Sequence, residues 1–153
     1  MSQLKSYAYP GVGEWAQKNL VYSQAIRVGN RIICSGQGGW DPSPEKMDLS
    51  KLIKENLMEE IDQAFSNVDL NLKHAGGKGW EQVYKVNTYS TDLRAQNGRV
   101  SENLRKWMPN HTAVWTAVGV SHLGLDGMHF EIEVEALDEE GAEEVSKTKT
   151  RAN

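Results

Sequence analysis

The chain has 153 residues, of which 39% are hydrophobic and 25% charged, and a formal net charge of −4. This length fits a single domain with its own core, and the acidic balance without a Lys or Arg run disfavours nucleic acid and anionic membranes as partners. Cys34 is the one cysteine, which excludes an internal disulfide, and no apolar stretch approaches the length of a membrane span. The first 15 residues resemble neither a signal peptide nor a transit peptide, so we expect a soluble cytoplasmic protein.

The beginning of the chain predicts an irregular lead-in followed by a β-hairpin. Pro10 and two glycines interrupt residues 7–20, and we expect no regular element there. Residues 25–28 and 31–34 are strand-like and flank Gly29-Asn30, a pair typical of a two-residue turn.

The clearest helix lies between Leu52 and His74. Apolar side chains recur there at steps of three and four, at Ile53, Leu57, Ile61, Ala64, Phe65, Val68 and Leu72. This spacing predicts an amphipathic helix. Asp48 or Ser50 would cap its start, and the glycine-rich residues 75–79 would end it.

The second half predicts a strand over residues 80–93, a helix over 95–107 and two final strands over 113–120 and 129–137. The polar residues 139–153 are expected to fray. The order β-β-α-β-α-β-β predicts one α+β domain over residues 1–153, with its core at about 20–138 and both helices on one face of a mixed sheet. Trp115, Ala117 and Gly119 share a face of their strand, and we expect that face to be the open one, through which the chain self-associates.

Four segments, taken in chain order, resemble the RidA/YjgF/UK114 family, also called L-PSP endoribonuclease-like proteins. They are YSQAIRVGNRIICSGQ, AFSNVDLNLKHAGG, VYKVNTYSTDL and FEIEVEAL, and they cover about residues 22–137. The resemblance implies a chorismate-mutase-like fold, a barrel-like homotrimer and ligand clefts between neighbouring subunits. Its best-understood members hydrolyse reactive enamines and imines to ketoacids and ammonia. It therefore implies a hydrolase or deaminase that acts on such a small molecule.

One motif departs from that family. Active members carry P-A-R-[ST], whose Arg binds the substrate carboxylate; here Ala113 takes the place of the Pro, Trp115 that of the Arg, and Thr116 keeps the Ser/Thr position. Arg105 is no replacement, since it lies on the preceding helix. An indole offers one N–H and no charge, so Trp115 cannot hold a carboxylate as a guanidinium does. We expect Trp115 and Thr116 to contact a more apolar or aromatic substrate.

The last strand supplies the catalytic candidate. By the resemblance, Glu133 matches the glutamate that positions the hydrolytic water, and a carboxylate there would accept a proton as water attacks an imine carbon. The pattern alone favours a solvated sheet face, to which we assign Glu131 and Glu135, and only the resemblance makes a cleft equally open for Glu133.

Five further residues are candidates for substrate binding, each with a plainer alternative. Tyr22 matches a cleft tyrosine or is an ordinary interface tyrosine. Ser35, Gly36 and Gln37 match the family's SGQ step, where glycine lets the backbone approach a ligand, or form a flexible strand end. Asn87 points into the cleft or serves as a core hydrogen-bond partner.

Trp40 either walls the pocket or is a surface aromatic. The four histidines match no standard ligand spacing, so we expect no metal and no cofactor.

Two other functions remain open. One is a trimer of the same fold that binds a small molecule without chemistry, which the missing Arg favours. The other is the ribonuclease of the family's older name, which the acidic balance disfavours.

Overall fold

The structure is a computed structural model of the chain and describes residues 4–151. Its strands are β1 (Lys5–Tyr7), β2 (Ala25–Val28), β3 (Arg31–Cys34), β4 (Gln37–Gly38), β5 (Val83–Ser90), β6 (Val114–Gly119) and β7 (Phe130–Leu137). Its helices are α1 (Val12–Asn19), α2 (Leu57–His74), α3 (Leu93–Trp107) and α4 (Glu139–Arg151). Among the described residues, no helix is both long and apolar enough to cross a bilayer.

One mixed sheet organises the fold, with the strand order β1-β2-β3-β7-β5-β6 and β4 also paired to β7. The β5–β6 pair is parallel and the other pairs are antiparallel. The predicted hairpin is confirmed, because β2 and β3 pair across Gly29-Asn30. Strand β7 lies in the middle, between β3 and β5, so its side chains meet groups from both halves of the chain.

Helices α2 and α3 pack on the same face of this sheet, as predicted. The core lies between them and the inward side chains of the strands, which include Ile32, Val86, Phe130, Ile132 and Val134. Phe65 of α2 stacks on Trp80 with ring centroids 4.9 Å apart. The alternating apolar residues of β7 are thus fully used by the core, which leaves its carboxylates on the other face.

The start of α2 is later than its apolar pattern predicts. Asn56 caps the helix, with its side-chain oxygen accepting from the backbone N–H groups of Met58 and Glu59 at 2.9 and 3.2 Å. Asp48 instead caps a single 3₁₀ turn over Leu49–Lys51. Local side-chain hydrogen bonds therefore set the boundary, because a capping residue satisfies the free N–H groups of the first turn.

Two segments expected to be irregular are ordered. Residues predicted as an irregular lead-in contain the end of β1 and the whole of α1. The predicted frayed tail forms α4, and its last two residues, 152–153, lie outside the described residues. Helix α1 is stabilised by tertiary packing, because Val12 and Ala16 lie one turn apart on the same face and are both buried. This packing outweighs the low helix propensity of the glycine at position 13.

The predicted face of β6 is wrong. Trp115 pairs with Val86 and Ala117 with Thr88, and these two β5 residues are fully buried under the helices. The Trp115 indole N–H donates to the Thr88 hydroxyl at 2.9 Å. Trp115 therefore lies on the helix side, while the alternate residues of β6 occupy the open face. Apolar side chains lie on both faces of this short strand, so the sequence pattern did not show which alternate residues face the helices.

Candidate functional site

The three carboxylates of β7 share the open face of the sheet but have three different environments. Glu135 accepts hydrogen bonds from the Tyr84 hydroxyl at 2.5 Å and the Lys85 ammonium at 3.1 Å. The bond from Tyr84, followed by that from Lys85, lowers the pKa of Glu135 below its ordinary value. This carboxylate is fully engaged at the surface, in agreement with its assignment to a solvated face.

Glu133 lies two residues before Glu135 on β7, and two neutral groups donate hydrogen bonds to it. Its Oε1 accepts from the Asn87 amide at 3.0 Å and from the Tyr89 hydroxyl at 2.6 Å. The bond to Glu133 and burial raise the pKa of Tyr89 to about 12. Asn87 thus lies on the open face rather than in the core, and Thr116 lies directly opposite it on β6. The place of Asn87 in a ligand cleft stays a prediction.

Glu131 opens instead into a pocket of about 290 Å³. The walls come from α1, from the segment after it, and from loops before α2 and β7. They are mostly apolar and include Trp15, Tyr22, Trp40, Leu52, Leu125 and Met128. Burial, and secondarily the neighbouring charge of Glu133, raise the pKa of Glu131 above its ordinary value. A carboxyl group with a raised pKa at the wall of an apolar pocket has the character of a general acid or base.

Gly36 makes room for this carboxylate. A Cβ built on Gly36 would lie 1.9 Å from Oε1 of Glu131. In the described part of the chain, Glu131 accepts no hydrogen bond and forms no ion pair, unlike its two neighbours on β7. The expected role of Gly36, close approach of the backbone to a ligand, is here close approach of the backbone to the Glu131 side chain.

Ser35 and Gln37 flank that glycine in different ways. Ser35 lines the pocket, and its hydroxyl donates to the Gln24 carbonyl at 3.1 Å. Gln37 is fully buried, and its amide donates to the Gln24 side chain at 2.9 Å. Its side-chain oxygen accepts from the Tyr9 hydroxyl at 2.9 Å. Gln37 is therefore placed behind the pocket wall rather than in it, which departs from its predicted contact with substrate.

A buried hydrogen-bond chain extends this support to the aromatic wall. The Trp40 indole N–H donates to the Tyr9 hydroxyl at 3.0 Å, which in turn donates to Gln37. Burial raises the pKa of Tyr9 far above its ordinary value, so this phenol stays neutral. Trp40 walls the pocket, as one of its two alternatives proposed, and it does so in a fixed orientation.

Tyr22 lines the same pocket, and the residue before it has an unusual backbone conformation. Val21 has φ 60°, a left-handed conformation that a β-branched residue rarely adopts, and its side chain is 86% exposed. Leu20 and Tyr22, on either side of it, both line the pocket. Strained residues of this kind concentrate at functional sites.

Trp115 does not reach this pocket within one chain. It lines a separate groove of about 270 Å³ beside α3, together with Leu104, Arg105 and His111. The predicted site residues thus divide: Tyr22, Ser35 and Gly36 meet Glu131, while the other candidates lie elsewhere. Their union in an intersubunit cleft stays a prediction.

Sequence reasoning missed Glu131 as a pocket residue and the whole contribution of α1. The missed signal was the spacing of Val12, Trp15 and Ala16, which is helical. Pro10 and the two glycines hid it. Within the residues that the structure describes, no three His, Cys, Asp or Glu side chains converge as metal ligands would.

Comparison with known proteins assigns this chain and its fold to a family. The sequence profile described as endoribonuclease L-PSP matches residues 16–138. The chain belongs to the RidA/YjgF/UK114 family. A RutC family protein of Aquifex aeolicus is 35% identical over 118 residues, 76% of this chain and 86% of that protein. The human 2-iminobutanoate/2-iminopropanoate deaminase is 32% identical over 116 residues, 76% of this chain and 79% of that protein.

Solved structures of the family confirm the predicted α+β fold. Protein YJGH superposes with a TM-score of 0.71 at 26% identity, over 88% of this chain and 95% of that one. Yeast Mmf1 gives a TM-score of 0.71 at 24% identity, over 89% of this chain and 99% of that one. The family profile begins at residue 16, so Val12 and Trp15 of the pocket wall stand outside the matched segment.

Proposed function

We propose that this protein is a hydrolase or deaminase of imines, enamines or related small metabolites, and that the pocket at Glu131 is its active site. The observation that carries the proposal is a carboxyl group with a raised pKa at the wall of an apolar pocket, next to the Ser35-Gly36 step. The homology of this chain to proteins named 2-iminobutanoate/2-iminopropanoate deaminase supports the reaction class.

The proposed chemistry needs one water and one proton carrier. Glu131 takes a proton from water while the water oxygen bonds to the imine carbon, and it returns this proton to the imine nitrogen. In the resulting carbinolamine, Glu131 takes the hydroxyl proton and passes it to the nitrogen, the C–N bond breaks, and the carbonyl product and ammonia leave. The backbone N–H of Gly36 would polarise the substrate, whereas that of Ser35 donates to the Gln24 carbonyl at 2.9 Å.

This proposal moves the catalytic role from Glu133 to Glu131. Glu133 already accepts two hydrogen bonds on Oε1, from Asn87 and Tyr89, whereas Glu131 lines the pocket and has no such partner within the described chain. In this account Glu133 acts indirectly, because its charge helps to raise the pKa of Glu131.

We also propose that the working unit is a homotrimer with clefts between subunits. The support is the apolar part of the open sheet face, where Ile33, Val114 and Val118 are 37%, 68% and 39% exposed. Apolar surface of this kind on a sheet favours self-association. A neighbouring subunit would then bring its edge strand β6 to the cleft, with Thr116 on the open face and Trp115, which is 36% exposed, on the other face. Light scattering of the purified protein would return three times the mass of the 17.1 kDa chain.

An alternative is a trimer that binds a small molecule without turnover. The observation in its favour is Trp115, which stands where the family's active members carry the carboxylate-binding Arg. A ligand that raises the melting temperature and is recovered unchanged would support this alternative.

The test generates imines with an amino-acid oxidase and an amine oxidase and follows their disappearance with and without the protein. Acidic, basic and aromatic precursors are compared, and Trp115→Arg is run beside the unmodified chain. Accelerated loss with the unmodified chain supports hydrolysis. No acceleration with any precursor, but activity in Trp115→Arg, would contradict the hydrolase and support the binding-only alternative.

A further inference from the structure

We infer that the pocket at Glu131 binds a protonated amine or an iminium ion carried on an apolar, single-ring-sized group, and that it rejects ligands bearing a carboxylate. This inference names the ligand class of the proposed active site. It rests on the proposed function only for turnover, since binding is tested separately.

The charge of the pocket is the first support. Among the described residues that line it, Glu131 is the one charged side chain. Within one chain the pocket therefore offers no base to a ligand carboxylate, and Trp115 and Thr116, which the proposed neighbouring subunit would add, carry no charge. A second negative charge beside Glu131 and Glu133 would be repelled. Like charges facing each other in a partly buried site are strongly unfavourable.

The unpaired state of Glu131 is the second support. Glu135 contacts Lys85, and Glu133 accepts from Asn87 and Tyr89, but within residues 4–151 no donor reaches Glu131. A partly buried carboxylate without a partner is costly, and a ligand cation would supply the missing charge and hydrogen bond.

The aromatic walls are the third support. Trp15, Tyr22 and Trp40 all face the same space as the carboxylate. Aromatic faces attract ammonium and related cations, and a carboxylate among aromatic rings adds a direct ion pair. The orientation of Trp40 is fixed by its bond to Tyr9, so this wall is formed before a ligand arrives.

The remaining wall suits a hydrocarbon group of limited size. Leu52, Leu125 and Met128 are apolar, and methionine adapts to ligand shape. The volume of about 290 Å³ is at the small end of ligand pockets, which span roughly 300–1,000 Å³. One aromatic ring with a short amine arm fits this volume.

The test compares three probes of one shape and different charge: phenethylamine, 2-phenylethanol and 3-phenylpropionate. Binding to the full-length protein is measured near neutral pH by calorimetry and by tryptophan fluorescence. We expect the amine to bind about tenfold or more tightly than the alcohol, as for a hydrogen bond to a charged group. The carboxylate should show no saturable binding.

Matched variants assign the preference to one carboxylate. Glu131→Gln keeps the shape and should bring the amine and the alcohol to nearly equal affinity. Glu135→Gln, which removes a carboxylate on the same strand face outside the pocket, should leave the preference unchanged. Circular dichroism and melting temperature confirm that each variant is folded.

Three results would overturn the inference: tight binding of the carboxylate, an amine preference that survives in Glu131→Gln, or no binding of any probe. Each is separable from failure of the proposed function. An amine preference without imine turnover would support the proposed ligand class and contradict the proposed hydrolase. Turnover of anionic imines without an amine preference would support the hydrolase and contradict the ligand class.

Discussion

Gly36 and Glu131 are in such close contact that the carboxylate of Glu131 occupies the space a side chain at position 36 would need. The distance from a Cβ at residue 36 to Oε1 of Glu131 would be 1.9 Å. The glycine of the strand end and the carboxylate of the last strand therefore act as a pair, 95 positions apart in the chain. The proposed active site depends on both.

Gly36→Ala should displace the Glu131 carboxylate from the pocket wall. We expect imine turnover and amine binding to fall by more than about tenfold, because small displacements of a reacting group cost large factors in rate. Gly98→Ala is the control: Gly98 lies within α3, and a Cβ there meets nothing within 4 Å. That control should keep activity and gain about 0.5–1 kcal/mol of stability. Equal activity in both variants would contradict the steric role of Gly36.

Glu131 should lower the stability of the folded protein near neutral pH. Its pKa is raised in the folded state, mainly by burial, so the folded protein binds this proton more tightly than the unfolded chain does. Stability is then greatest below the ordinary pKa of glutamate and falls as the pH rises through the raised value. Glu131→Gln should melt at a higher temperature than the unmodified protein near neutral pH, and the difference should vanish in acid. A lower melting temperature near neutral pH would count against an uncompensated Glu131 carboxylate.

The charge of Glu133 should be visible in the pH profile of activity. Activity that needs ionised Glu131 rises with pH through its pKa, and Glu133 contributes to the elevation of that pKa. Glu133→Gln should therefore move this acidic limb to lower pH while retaining turnover. A profile that does not move, or a complete loss of turnover in folded Glu133→Gln, would return the catalytic role to Glu133.

Glu60 should anchor the start of β7, immediately before the site. This fully buried carboxylate accepts from the backbone N–H groups of His129 and Phe130 at 2.7 and 3.2 Å. Glu60→Ala removes this partner from the buried N–H of Phe130 and the part-buried N–H of His129, and should cost about 2–4 kcal/mol. Glu60→Gln retains an acceptor oxygen and should cost less. Urea unfolding measures both, and an alanine variant as stable as the glutamine variant would contradict this account.

Cys34 should be unreactive in the native protein. It is buried in the core, and burial raises the pKa of its thiol to about 12, so the reactive thiolate is scarce. Iodoacetamide should label Cys34 in urea but not in buffer. Rapid labelling of the folded protein would show that strand β3 opens or that the thiol is exposed.

The features that the sequence predicted well are those governed by neighbours along the chain. The β2–β3 hairpin follows from its turn pair, and α2 from its apolar stripe. The alternation in β7 correctly placed all three carboxylates on one face. Local periodicity is enough for these, because it defines which side of an element is apolar.

The features that it missed depend on contacts between distant segments. Alternation cannot tell Glu131 from Glu133, because the pocket that distinguishes them is built by α1 and by loops such as the one carrying Leu125. Helix α1 itself depends on packing around Tyr9, against Trp40 and Leu52. Which residues of β6 face the helices was ambiguous, because Val114 and Trp115 lie on opposite faces and are both apolar.

The most direct test of the account compares imine hydrolysis by three matched variants, Glu131→Gln, Glu133→Gln and Glu135→Gln, each checked for folding. Glu131→Gln should lose on the order of 10²–10⁴ in kcat, the usual contribution of a general base. The other two should retain turnover. Full activity in Glu131→Gln, with loss in Glu133→Gln, would show that the Glu131 pocket is not the active site.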